Sequence, residues 1–194
     1  MRKIPELSTP RLTLRPLRID DAGAIQSRFP QFEIVRYLNA VVPWPYPEDG
    51  ALTYLRDVAL PAIEAGREWH WTLRPKVGLD ELIGVISLKR DSGDDHRGFW
   101  LAPEWQGQGL MNEAAEAVSA FWFETLGEPV LRVSKAVANQ RSRRISARGG
   151  MRLVAVTERN FVSGRLPSEV WEITREEWRA QRQKATHEEG RERG

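Results

Sequence analysis

The residues best placed to do chemistry in this chain are Gln106, Gly107, Gln108 and Gly109. They stand between an apolar run (Phe99, Trp100, Leu101, Ala102), ended by Pro103, and a helical pattern that opens at Leu110. The whole stretch, residues 98–113, reads GFWLAPEWQGQGLMNE. A strand that passes through a glycine-bearing turn into a helix presents backbone N–H groups with no partner in the helix. The helix dipole favours negative charge at the same place. Gly107 and Gly109 carry no Cβ, so a phosphate can come close to the backbone. The chemistry implied is the holding of a phosphate-bearing cofactor. Two familiar glycine motifs fail the test. A dinucleotide fingerprint needs a third small residue where Asn112 stands and an acid closing the next strand, which here ends in Ala138–Asn139. A P-loop needs a Lys at the helix start, and none is there.

Further residues suit the rest of such a site. Asn139 opens a helix and can contact the cofactor, although as a favoured N-cap it needs no ligand to explain it. Ser142, in the first turn of that helix, can give a proton to a leaving group, and a Ser there is equally common as a local hydrogen-bonding residue. Arg141, Arg143, Arg144, Arg148 and Arg152 cluster nearby. Arg143 or Arg144 could meet a phosphate, or the cluster is a solvated helix face. Glu68 and His70 share one strand face and could relay a proton through water, against the reading of His70 as a satisfied structural residue. Glu158, at the end of a later strand, is a weaker base candidate.

These residues must be carried by regular elements. RLTLRPLR alternates over 11–18 as a half-buried strand, and Asp20 and Asp21 offer a cap for a helix to about Phe29. A short helical turn over 33–38 precedes VVPWPYPEDG, whose prolines around Trp44 and Tyr46 exclude regular structure and leave either a substrate wall or a packed connection. Leu52, Leu55, Val58, Ala59 and Ile63 are spaced as a helix over 47–65, with Pro61 expected to kink or divide it. EWHWTLR alternates, placing Trp69, Trp71 and Leu73 on one side and Glu68, His70 and Thr72 on the other. LIGVISL is apolar on both faces, as an interior strand is. Met111, Ala114, Ala115, Val118 and Trp122 form a wide stripe on a helix over 109–126. Strands follow at 130–138, at Met151–Thr157 and at Glu169–Thr174 around a turn at SGRLP, then a terminal helix anchored by Trp178. The tail, 188–194, is expected to be mobile. The order β-α-α-β-β-β-α-β-α-β-β gives an α+β (mixed α/β) sheet, antiparallel before the glycine turn, with a parallel pair expected across the strand-helix-strand step from Trp100 to Ala138.

Composition removes several classes. The 194 residues suit one domain, are 29% charged and 41% apolar, and contain no run near the roughly 18 apolar residues of a membrane span. The N-terminus lacks the apolar segment of a signal peptide, and the cytoplasm is the expected location. There is no Cys, and His70, His96 and His187 are scattered, so no metal site is expected. A net charge of +2 gives no global field for nucleic acid.

Gln106-Gly107-Gln108-Gly109-Leu110-Met111 matches the acetyl-coenzyme A signature Gln/Arg-x-x-Gly-x-Gly/Ala, and here the chain resembles the GCN5-related N-acetyltransferase superfamily. In detail it looks like the branch that acetylates the N-termini of ribosomal proteins. TPRLTLRPL, WPYP, ELIGVISL, Asn139-x-x-Ser142 before Gly150-Met151, and EVWEITREEW add to the likeness over about 9–178. The resemblance implies a single N-acetyltransferase domain with a twisted, mostly antiparallel sheet and a cofactor cleft where two parallel strands splay. It implies that acetyl-CoA is bound with its pantetheine arm on the backbone of Trp100, Leu101 and Ala102 and its pyrophosphate on Gln106 to Met111. It also implies transfer of acetyl to a primary amine, either a protein N-terminus or a small molecule. Two positions depart from the pattern. Met111 replaces a small residue, and the helix after Asn139 lacks the Tyr that often serves as general acid, leaving Ser142 in that neighbourhood. The competing reading is a non-enzymatic acyl-CoA sensor or partner-binding module on the same scaffold. Expected partners are acetyl-CoA and an amine acceptor, with no nucleic acid and no membrane. Oligomeric state is open, a homodimer included.

Overall fold

The computed structural model describes residues 4–192 of the chain, with side chains as far as residue 184, so that His187 and most of the expected mobile tail fall outside the described side chains. Strands β1 (Leu7–Ser8), β2 (Leu12–Pro16), β3 (Glu68–Pro75), β4 (Gly84–Lys89) and β5 (Arg97–Leu101) form an antiparallel sheet in sequence order. Strands β6 (Val130–Ala136), β7 (Arg152–Phe161) and β8 (Gly164–Thr174) form a second antiparallel sheet in the order β6-β8-β7. The α+β reading and the antiparallel first half are what the structure shows.

One apolar core lies on each face of the larger sheet. The alternation in β3 sends Trp69, Trp71 and Leu73 into the first core, where they join Leu12, Leu14, Ile86 and Leu88. Helix α5 (Leu110–Ala120) closes this face with Leu110, Met111, Ala114, Ala115 and Val118. That spacing is the stripe read from the sequence, and it buries the helix against the sheet. The second core, on the opposite face, gathers Leu17, Leu82 and Val85 with helices α1 (Ala22–Arg28), α2 (Phe32–Val35) and α3 (Gly50–Tyr54), through Ile25, Val35 and Ala51.

Three expectations are corrected. The helix expected over 47–65 is interrupted upstream of Pro61, by a π turn at Leu55–Ala59 that leads into α4 (Leu60–Glu64). Pro61 sits in the first turn of α4, where its missing N–H is tolerated, and the hydrogen-bond ladder widens just before it. The hairpin β7–β8 is far longer than expected, with Glu158 opposite Pro167 and Arg159 opposite Leu166, closing at Val162–Ser163. Its charged solvent-facing residues read as a turn in the sequence because nothing local records their cross-strand bonding. Finally, no parallel ladder joins β5 to β6. They are pinned at one end, where the His96 N–H donates to the Arg132 carbonyl (2.8 Å) and the Ser134 N–H to Asp95 Oδ1 (3.2 Å). Beyond that point they part. Helices α6 (Gln140–Arg148) and α7 (Arg175–Glu192) follow β6 and β8.

Candidate active site

The gap between β5 and β6 opens a cleft of about 570 Å³ on the α5 side of the sheet. Its wall at the helix start is the glycine turn. Gly107 and Gly109 both have φ in the left-handed region (+80° and +81°), which explains glycine at those two places better than close approach alone. Gly109 is the N-cap of α5, and its carbonyl takes the N–H groups of Asn112 and Glu113. The amides of Leu110 and Met111, one turn earlier, have no acceptor in the helix and lie at the cleft. The opposite wall is α6, where Asn139 Oδ1 accepts the Ser142 N–H at 3.2 Å, so Asn139 is a cap and also lines the cleft. Ser142 is buried and lines it too. Met111 keeps its side chain mostly within the first core.

The β5 edge is the third wall. The Ala102 N–H donates to Ile83 (2.8 Å) and the Lys89 N–H to the His96 carbonyl (2.8 Å), which fixes the alternation in the β4–β5 ladder. His96, Gly98, Trp100 and Ala102 therefore direct backbone groups at β4, while Phe99 and Leu101 turn theirs to the open gap. The expected backbone contacts are accordingly revised. Ala102 has its N–H engaged and does not line the cleft, the Trp100 ring packs against Phe29 beside the second core, and Phe99 joins Leu101 as the free edge.

Other placements differ from expectation. Arg143 points away, its guanidinium paired twice with Glu169 (2.7 Å each), and it does not line the cleft. Arg144, the next residue, and Arg148, one turn beyond it, do line it, without an ion pair among the described residues. Gln106 lines it and donates to the Leu101 carbonyl (2.8 Å), whereas Gln108 is exposed and outside the lining. Glu158 is exposed and paired with Arg165 across the hairpin.

A second cleft, of about 580 Å³, lies on the other face of the sheet and meets the first at Gly98, Phe99 and Trp100. Its lining is apolar: Leu17, Ile25, Phe29, Tyr46, Leu55 and Val58 among others. The proline loop supplies Val42, Pro43 and Pro47, so this loop is a wall. The Trp44–Pro45 peptide is cis. His70, Ser87 and Gly98 are register partners across β3, β4 and β5 and form a row on the cleft floor. His70 Nε2 lies 2.6 Å from Glu68 Oε2, with Lys89 Nζ 3.7 Å from the same carboxylate. Burial holds the His70 imidazole below the usual histidine range, against the pull of Glu68, so it is neutral at pH 7. Burial raises the Glu68 carboxyl, but His70 and Lys89 outweigh it and the net direction is down. Burial and Tyr54 push the Tyr46 phenol up to about 12, keeping it protonated.

The sequence reading missed two groups. Asn112 Oδ1 is buried at the first cleft with no hydrogen-bond partner. Lys135 lines the same cleft as a buried residue. Its position was readable, because Leu131 and Val133 at the same strand parity are core residues. Together the left-handed turn, the unpaired first-turn amides and the two arginines fit a phosphate-bearing coenzyme. Among the described residues no group of acids and histidines is placed to hold a metal, and no helix is long and apolar enough to cross a membrane.

The acetyltransferase (GNAT) domain family matches residues 11–152. No curated protein matches the chain in sequence. Among solved structures, it is similar to a ribosomal-protein-S5-alanine acetyltransferase from Vibrio fischeri, with a TM-score of 0.75 at 14% identity over 90% of this chain and 98% of that one. It is also similar to a ribosomal L7/L12 alpha-N-protein acetyltransferase in complex with coenzyme A, at TM-score 0.71 and 15% identity over 88% and 98% of the two chains. A third, an acetyltransferase (GNAT family) from Bacillus anthracis, gives 0.72 at 16% identity over 89% and 99%.

Proposed function

We infer, since the chain belongs to the acetyltransferase (GNAT) family, that it moves an acetyl group from acetyl-CoA in the first cleft to a primary amine in the second. The observation that carries this reading is the meeting of the two clefts at the β5 edge. One is a polar cleft built for phosphates, and the other is an apolar cleft with a carboxylate–imidazole pair on its floor.

The coenzyme's pyrophosphate would sit on the amides of Leu110 and Met111 at the α5 start, with Arg144 and Arg148 at the mouth. The edge amides of Phe99 and Leu101 face the gap, where they can hydrogen-bond the thioester carbonyl as it gains negative charge. The amine nitrogen forms a bond to the carbonyl carbon, the C–S bond breaks, and the coenzyme leaves as its thiol. Ser142 is the proposed source of the thiol proton. The amine proton passes to His70 by way of the Ser87 hydroxyl or water, and the neutral His70 ring can take it while Glu68 steadies the imidazolium.

The amine must be neutral to attack. At pH 7 this costs a lysine-like amine roughly 4–5 kcal/mol and an α-amine about 1 kcal/mol. Two of the similar structures are named for acetylation of ribosomal proteins, which makes a protein N-terminal α-amine the first acceptor to test. The test is thiol release with acetyl-CoA against N-terminal peptides, free amino acids and polyamines, beside a thermal shift with acetyl-CoA alone. A stabilised protein that releases thiol only with an amine is expected. No shift at saturating acetyl-CoA overturns the coenzyme assignment, and binding without turnover across the panel overturns the transfer reading in favour of a sensor.

A further inference from the structure

Where β5 and β6 part, the wall of the first cleft carries an ammonium that no described group neutralises. Lys135 is buried, at 7% exposure, and its Nζ lies 4.8 Å from the centre of the Phe99 ring. No hydrogen bond or ion pair reaches it among the described residues. Its cross-strand partner on β8, Glu169, is occupied by Arg143 at 2.7 Å and the Trp171 indole at 3.0 Å. Asp95 attracts it from a distance while accepting the Ser134 N–H. Arg97, on β5, repels it and is itself buried, bonded to the Ser119 hydroxyl (2.9 Å) rather than to an acid. Burial pushes the Lys135 ammonium down to about 8, so at neutral pH it still carries its proton. A buried cation without an ion-pair partner is destabilising, and its presence at a cleft fits a group that meets an anion there.

The position of Lys135 selects the anion. Its Nζ stands over the ring of Phe99, whose edge amide faces the gap and is the proposed partner of the thioester carbonyl. The acyl end of the donor therefore lies beside this ammonium. Lys135 lines the first cleft and is absent from the lining of the apolar one, which assigns the anion to the donor and not to the acceptor.

We propose that this protein has a further activity, the transfer of an acyl group that ends in a carboxylate, of the malonyl or succinyl class, with Lys135 receiving the distal carboxylate. This rests on the coenzyme reading of the first cleft. The reaction balances as acetyl transfer does. The acceptor nitrogen gains the C–N bond and gives its proton to His70, the C–S bond breaks, the coenzyme leaves as thiol with a proton supplied at Ser142, and the distal carboxylate is unchanged.

The test is calorimetric titration of the full chain with coenzyme A, acetyl-CoA, malonyl-CoA and succinyl-CoA. At least one carboxyacyl thioester is expected to bind tenfold or more tightly than acetyl-CoA. Lys135→Met should bring that ratio to about one, and Lys135→Arg should retain most of it. If acetyl-CoA binds and both carboxyacyl thioesters bind no more tightly, the proposal is overturned while the coenzyme reading stands. A preference that persists in Lys135→Met overturns the assignment to Lys135. Should no coenzyme species bind, the coenzyme reading itself falls. If Lys135→Met does not fold, the wild-type ratio and Lys135→Arg still decide.

Discussion

The two clefts that meet at β5 are nearly equal in size, about 570 and 580 Å³, and opposite in chemistry. The first is made of fixed backbone: a left-handed glycine turn, a helix start, a strand edge and a capped second helix. Those parts recognise charge by geometry and leave little to side-chain choice. The second is made of side chains from three short helical segments and a proline loop, with Tyr46 and His70 held neutral by burial. A site built of backbone accepts one invariant chemical group, whereas a site built of side chains can be retuned residue by residue. The contrast explains why a donor coenzyme can be assigned from the fold and why the acceptor must be found by experiment.

Breaking the first cleft should have the largest effect. Gly109→Val forces a β-branched residue to a φ of +81°, and the turn must rearrange. Acetyl-CoA affinity by calorimetry should fall by about a hundredfold, matching a strain of roughly 3 kcal/mol.

The pH dependence of stability comes next. Lys135 has its ordinary value of 10.5 in the unfolded chain and about 8 in the fold. Between these values the unfolded state binds more protons, so stability rises with pH from about 8. From pH 8 to 10 the gain should be on the order of 2 kcal/mol in urea titrations, and absent from Lys135→Met. Measurements should stop at pH 10, where the burial-lowered Arg97 guanidinium begins to titrate and the raised Tyr46 phenol begins to act in the opposite sense.

On the second side, His70→Gln removes the proposed proton acceptor. For an α-amine substrate, kcat should drop by roughly ten- to a hundredfold, less than general-base catalysis can reach because such an amine is partly neutral already. The KM for acetyl-CoA should stay put, and a rise in it would place His70 in the first cleft instead. Tyr46→Ala widens the apolar wall and loses the edge contact to Phe29 (centroids 5.0 Å). Acceptor KM should rise by about five- to tenfold, with coenzyme affinity unmoved.

The finest test compares neighbours on α6. Arg144→Ala should weaken acetyl-CoA binding about threefold, in a salt-dependent way. Arg143→Ala should leave binding alone and lower stability by about 1 kcal/mol through the lost Glu169 pair.

Much of this was legible locally. The helical stripe of α5, the alternation in EWHWTLR and the glycine turn each follow from the spacing of a few residues, because the forces that set them act over a turn or a pleat. The errors were of a different kind. Arg143 and Arg144 are adjacent and chemically identical, and the carboxylate of Glu169, on β8, marks which one turns from the cleft. Ala102 was placed at the coenzyme because a sequence does not say which N–H groups a strand spends on its neighbour, and its N–H goes to Ile83. The hairpin around Val162–Ser163 was cut short for the same reason.

By itself, then, the sequence determined most of the elements, the α+β class and the glycine turn, since each is a matter of backbone freedom and apolar periodicity within a short window. The tertiary structure decided the rest. The pin at His96–Arg132 and Asp95–Ser134 closes one end of the β5–β6 gap and leaves the other open, bringing Gly107, Asn139 and Lys135 around one space. Register across β3, β4 and β5 puts His70 in line with Gly98. Both depend on pairings between residues 11 to 39 positions apart, beyond the reach of a helical turn or a single pleat, where packing and hydrogen bonding set the geometry.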